Sequence, residues 1–305
     1  MNRTDMKYTR SPVFLSSGTI RETCTHDIRM VEYGMSNNNE TYVHGYSDRE
    51  AVRLSDQANT LAQLLHHDTR FPSGSYVLEA GCGTGAQTVI VAPQNPDTRF
   101  VSLDISTQSL AEAKALIQSR QITNVDFHTG DLMRLNFPNE TFDHVFVCFV
   151  LEHLPEPEAA LRELKRVLKD GGSLTVIEGD HGSAFFYPES NTAREAIRAQ
   201  VILQSRSGGN ANIGRELYPL LARAGFSDCR FSPRFVHADP SRPQMVEGFT
   251  RNTFTSMIEG VRSRALTEGI VDAETFDQGI RDLYHTAEED GVFCYTFFKG
   301  IGYKR

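Results

Sequence analysis

Between residues 76 and 177 the chain repeats one pattern: a short apolar run, a polar or glycine-bearing break, then apolar positions three and four apart. The runs at 77–80, 99–104, 125–128, 142–151 and 173–177 predict strands. Helices are predicted between them: from 86 to 92, limited by Pro93; after a Ser106 cap, with Leu110, Ala113, Leu116 and Ile117 inward; and over 157–169, stopped by Gly171 and Gly172. Strands alternating with helices at this spacing predict an α/β fold, a doubly wound parallel sheet.

The flanks read differently. Residues 48–66 predict a helix with Ala51, Leu54, Ala58, Leu61 and Leu65 on one face. Further upstream, Thr19 and Glu22 form a capping box. Ile20, Cys24, Ile28, Val31 and Met35 follow as a stripe, and Gly34 ends the helix. An isolated helix of that length is marginal in water and needs a surface to dock on. Residues 1–38 are therefore expected to form an arm and helix that either close over the site or swap into a neighbouring subunit of a homo-oligomer. Residues 39–305 are expected to be the main domain. After residue 178 the alternation loosens. Helices are predicted at 189–204 and 215–224, strands at 229–236 and 293–298, and helical cap insertions at 181–215 and 239–290.

Composition narrows the partners. A formal net charge of −8 and a pI near 5.7 provide no basic field for nucleic acid or an anionic membrane. The longest apolar run, residues 145–151, is too short to span a bilayer. Five cysteines stand far apart without a CxxC pair, so neither a structural metal nor a disulfide framework is expected, and a cytoplasmic setting fits.

Residues 76–85 carry the strongest chemical signal. An apolar strand runs into glycines at 81, 83 and 85, the arrangement that lets a nucleotide approach main-chain N–H groups. Gly81, Gly83 and Ala86 could satisfy a dinucleotide-binding pattern. However, Glu79 stands two residues before Gly81, placed to hold a cationic or hydrogen-bond-donating part of a ligand through a neighbour or water, where a pyrophosphate would prefer no carboxylate. Asp104 ends the second strand, placed to accept from both hydroxyls of an unphosphorylated ribose. Asp131 ends the third, placed for an adenine amino group with Leu132 against the ring. A dehydrogenase-like Tyr295-x-x-x-Lys299 pair lies in a strand pattern, where four residues span about 13 Å, and is set aside.

These motifs resemble class I S-adenosylmethionine-dependent methyltransferases. The resemblance rests on Glu79-Ala-Gly81-Cys82-Gly83-Thr-Gly85, Asp104, Gly130-Asp131, Phe142-Asp143, Leu151-Glu-His-Leu154 and Leu168-Lys-Asp-Gly-Gly-Ser-Leu174, in that order. It covers about residues 40–180. It implies a Rossmann-like seven-stranded sheet with a reversed last strand. It also implies S-adenosylmethionine as cofactor, with no metal, the glycine loop on its methionine part, Asp104 and Ile105 at the ribose, and Gly130, Asp131 and Leu132 at the adenine. Cys82, Phe149 and Tyr46 join the expected cofactor site.

Expected cleft aromatics are Tyr42, Tyr46, Phe149 and the run Phe185-Phe186-Tyr187, with Phe249 and Phe254 in the cap. Aromatic walls with few polar groups suit a hydrophobic, ring-containing small molecule. His181, Asp180 and His153 are the candidate acid–base residues. The chain also resembles the indole-alkaloid carbon methyltransferases, the teleocidin B-forming kind, in its Tyr-Val-His-Gly-Tyr-Ser segment, its Glu178-Gly-Asp-His181-Gly stretch and its extra N-terminal helix. That resemblance implies methylation of a prenyl alkene followed by ring closure, with aromatic faces holding the cation. An indole C3-methyltransferase, or an O- or N-methyltransferase of a hydrophobic aromatic, fits the same residues. A scaffold that binds the cofactor without turnover is the non-enzymatic alternative.

Overall fold

The computed structural model describes residues 48–305. The arm and helix expected within 1–38, together with Tyr42 and Tyr46, lie outside them. The described residues contain seven strands: β1 Tyr76–Ala80, β2 Arg99–Asp104, β3 Val125–Thr129, β4 Phe142–Cys148, β5 Leu168–Tyr187, β6 Ser227–Ala238 and β7 Val292–Tyr303. They form one sheet in the order 3-2-1-4-5-7-6. The first five strands run parallel, and β7 is antiparallel to both β5 and β6. This is the expected doubly wound α/β sheet with its reversed last strand, and the chain order turns back between β1 and β4, where open α/β sheets bind ligands.

The helices are α1 Asp48–His66, α2 Thr88–Gln94, α3 Thr107–Ser119, α4 Pro157–Val167, α5 Asn191–Arg206 and α6 Leu217–Arg223. A helical run follows (Pro243–Met245, then a π-helical stretch Val246–Thr255, then Ser256–Gly260), and after it come α7 Arg262–Thr267 and α8 Ala273–His285. Side-chain caps start α3, α5 and α8: Ser106 accepts from Ser109 N–H, Ser190 from Ala193 and Asp272 from Thr275. Leu61, Phe146, Ile177 and Phe293 belong to the core on one face of the sheet, and Leu78, Val145, Leu164 and Leu221 to the core on the other. No helix among the described residues is long and apolar enough to cross a membrane.

Four local expectations are corrected. α2 runs past Pro93 to Gln94, and the Asn95 N–H closes it on Ala92 O. β4 stops at Cys148 rather than 151, because Phe149 takes a left-handed φ of 59° and a 3₁₀ turn follows at Leu151–His153. The stop of α4 is Val167, not the glycines: Leu168 already pairs with Phe142, and Gly171 and Gly172 sit where the β4–β5 register shifts. β5 is the largest change, 20 residues long where five were expected. β7 pairs with it over most of that length, satisfying the backbone of what reads as loop in the sequence.

Candidate active site

β1 delivers the glycine turn. Gly81 has φ +80°, and a Cβ there would stand 2.6 Å from Val150 Cγ2, so both conformation and space demand glycine. Gly85, φ +82°, packs on α3, where its Cβ would be 3.1 Å from Ala113 Cβ. Between them the Gly83 N–H donates to Asp104 Oδ2 at 2.8 Å, while Ser106 N–H donates to Oδ1 at 2.9 Å. Each carboxylate oxygen therefore keeps a second lone pair. Asp131 Oδ1 accepts from Met133 N–H at 2.8 Å.

Gly81, Cys82, Gly83, Asp104, Ile105, Gly130, Asp131 and Leu132 all line one cleft of about 390 Å³. Gly85 and Glu79 do not line it. Glu79 lies beneath the turn, where its Oε2 accepts from Thr88 Oγ1 at 2.7 Å and Ser102 Oγ at 2.6 Å. Burial pushes its carboxyl up, against those two hydroxyls. From there it supports the turn through Thr88 and Ser102.

The other half of the cleft is built by β5, β7 and the π-helical stretch. Phe149, Phe249, Phe254, Tyr295 and Phe297 form its wall. Their rings meet one another at centroid distances from 4.8 Å (Tyr295–Phe297) to 6.2 Å (Phe249–Phe254). His181 lies among them. Its Nδ1 is 3.0 Å from Ala211 O and 3.2 Å from Tyr295 Oη. A carbonyl only accepts, so Nδ1 carries the proton and Nε2 keeps a lone pair. Nε2 is buried with no hydrogen-bond partner. Burial pushes the imidazole below its ordinary range, opposed by the Glu152 charge.

His153 also lines the cleft, with Nε2 3.8 Å from Glu152 Oε1. Asp180 does not. Strand alternation puts Gly179 and His181 on the cleft face and Glu178 and Asp180 on the opposite one. There Arg215 holds Asp180 with two hydrogen bonds, 2.8 Å from Nε and 2.7 Å from Nη2. The expected Phe185–Tyr187 cluster is likewise elsewhere. β5 bulges between Asp180 and Phe185, and beyond the bulge Phe185 and Tyr187 are 51% and 59% exposed. Phe186 is buried against Phe293 at 6.1 Å, among core residues that include Ala193 and Ala196 of α5.

Residues 78–176 match a methyltransferase domain family. Over 240 residues the chain is 29% identical to an uncharacterized methyltransferase of Schizosaccharomyces pombe, covering 75% of this chain and 84% of that one. It is 33% identical to the probable methyltransferase ltbC of Aspergillus luteorubrus, over 53% of this chain and 58% of that protein. Among solved structures, the [4+2]-cyclase SpnF shares the fold with a TM-score of 0.50, 21% identity and 80% of each chain covered. The present chain is an S-adenosylmethionine-dependent methyltransferase.

The enzyme's residues fit that cofactor. Gly83 lines the cleft and nothing stands within 4 Å of where its Cβ would be, leaving room beside the turn. Asp104 and Asp131 retain lone pairs at the strand ends. Sequence reasoning missed several residues of this cleft. Arg53 and Gln57 project from α1 one turn apart, their side chains joined at 3.1 Å. Gln87, Glu152, Thr253, Tyr295 and Phe297 also line it. Two signals existed: Glu152 lies inside the Leu151–Leu154 motif, and Tyr295 and Phe297 keep the period of two on the last strand.

Proposed function

We propose that the enzyme methylates a hydrophobic, ring-bearing small molecule, and that its acceptor is the prenyl alkene of an indole alkaloid of the teleocidin A type, with ring closure coupled to methylation. The observation that carries the reading is His181 Nε2, an unpartnered nitrogen in the half of the cleft walled by Phe149, Phe249, Phe254, Tyr295 and Phe297. When bound, S-adenosylmethionine supplies an electrophilic methyl group. Gly81, Gly83, Asp104, Ile105, Asp131 and Leu132 would hold it in the first half of the cleft. The faces of Phe149, Phe249, Phe254 and Tyr295 would stabilise the carbocation left on the acceptor by attraction to their ring quadrupoles. Their apolar surface would keep water from capturing it first. A ring carbon of the acceptor then closes on the cation, and His181 Nε2 takes the proton released.

The test is incubation of the full chain with S-adenosylmethionine and a geranylated indolactam, with products read by mass spectrometry and NMR. A product one methylene heavier, with a new ring in place of the alkene, is expected. Methylation of simple indoles or phenols with the prenylated substrate untouched would instead support the O-, N- or indole C3-methyltransferase reading, in which His181 deprotonates the acceptor itself. The same proposal includes a cytoplasmic homo-oligomer in which residues 1–38 contribute to the site or to the assembly. Unchanged activity and oligomer size after their deletion would remove that part.

A further inference from the structure

Behind the glycine turn runs a chain of buried polar groups that the methyl-transfer chemistry leaves unused. Lys299, 2% exposed on β7, donates from Nζ to Asp68 Oδ1 at 2.7 Å and to Thr69 Oγ1 at 2.8 Å. An ammonium has hydrogens only, so the Thr69 oxygen accepts from it and its own hydrogen remains to be given. His66 Nδ1 lies 3.3 Å away and receives it. The His66 proton is then on Nε2, which stands 2.8 Å from Gln87 Oε1. Burial pushes the His66 imidazole down to about 4, so near neutral pH it has one N–H and one lone pair, as this direction of donation requires. The ring is braced edge-on against Phe146 at 5.8 Å.

Each donor in this chain is fixed by the one before it, and the last commits the oxygen of an amide. Gln87 lines the cleft, as do Thr84 and Arg53. With its oxygen turned to His66, its two N–H groups are the end that is left for a ligand. We infer that His66 is a positioning residue that turns the Gln87 amide donors toward the cleft, and that Gln87 with Arg53 reads the carboxylate of the cofactor's amino-acid end. The carboxylate is the one anionic group that S-adenosylmethionine carries, and amide N–H and guanidinium are donors that match an anion. The inference rests on the proposed seating of the cofactor on the glycine turn.

The experiment compares two ligands by calorimetry: S-adenosylhomocysteine, and 5′-methylthioadenosine, which lacks the amino-acid end. Wild type should bind the first far more tightly. Gln87→Leu and His66→Phe should each weaken S-adenosylhomocysteine about tenfold and leave methylthioadenosine within about twofold. The double variant should be no weaker than Gln87→Leu alone, because His66 acts through Gln87. Equal weakening of both ligands would make the chain merely structural and overturn the inference, as would unchanged affinity for both. Methylthioadenosine binding doubles as the folding control, and Gln87→Leu, at the cleft wall, tests the idea even where His66→Phe does not fold. If wild type binds both ligands equally well, this inference falls while the seating stands. If it binds neither, both fall.

Discussion

Tyr295 Oη and Ala211 O both lie against His181 Nδ1, at 3.2 and 3.0 Å, which leaves Nε2 as the atom with a free lone pair in the aromatic half of the cleft. His181→Ala is expected to lower turnover about 10²–10⁴-fold, with S-adenosylhomocysteine binding retained. As the proposed base it would work in the neutral form, and burial lowers the imidazole pKa below 6.5. Activity should therefore hold through neutral pH and fall only as pH drops through that lowered value. An acid limb of kcat/KM at or above the ordinary histidine range would remove His181 as the base.

Phe254 and Phe185 separate the aromatic wall from the exposed aromatics. Phe254→Ala should lower kcat/KM for the acceptor at least about tenfold, while Phe185→Ala should leave it within about twofold. Steady-state kinetics on both variants decides which group of rings meets the substrate; the reverse order would return the wall to the distal end of β5.

Asp180 is expected to stabilise rather than catalyse. Its carboxylate is buried and held by Arg215 through both oxygens, and the arginine side chain is half exposed. Asp180→Asn should cost about 1–3 kcal/mol in urea unfolding, discounted from a fully buried pair because water screens the arginine. The kcat of the folded fraction should not change. A large loss of kcat at wild-type stability would contradict this placement.

Glu178 braces the turn that carries Phe149 and Glu152. Its Oε1 accepts from Val150 N–H at 3.0 Å and Leu151 N–H at 2.8 Å, and Oε2 is buried without a partner. Burial, and then the Glu152 charge, push its carboxyl well up. A carboxyl raised on folding stabilises the protein below its unfolded pKa, about 4.3, and that contribution is lost as pH rises through the folded value. Glu178→Gln should therefore flatten the pH dependence of stability above the unfolded value of about 4.3. Thermal melts across that range are the check. A variant that parallels wild type at every pH would show that Glu178 does not titrate on unfolding.

Much of this was legible in the sequence because it follows from local periodicity and backbone need. The turn at Gly81–Gly85 and the carboxylate at Asp104 sit at strand ends that any reading of the apolar runs would find. The acceptor wall was harder. Gly179, Asp180, His181 and Gly182 are residues of turns by type, so nothing local marked them as strand. Pairing with β7 makes strand of Gly179 and Asp180, while His181 and Gly182 enter the bulge and donate instead to Ala211 O and Asn212 Oδ1. Phe249 and Phe254 were expected in the cap, but Tyr295 and Phe297 reach the cleft through a strand more than a hundred residues away in sequence from β5.

The bulge in β5 sets five residue steps, Asp180 to Phe185, against two on β7, Thr296 to Cys294. Before it, odd-numbered positions face the cleft; after it, even-numbered Phe186 returns to that side. The strand thus carries a parity counter with a reset. Lengthening β5 beyond the bulge would leave His181 where it stands. One residue inserted between Ile177 and Gly179 would turn the imidazole toward Arg215 and bring the Asp180 carboxylate into the aromatic cleft. Which side chain meets the cleft is chosen by count as much as by identity.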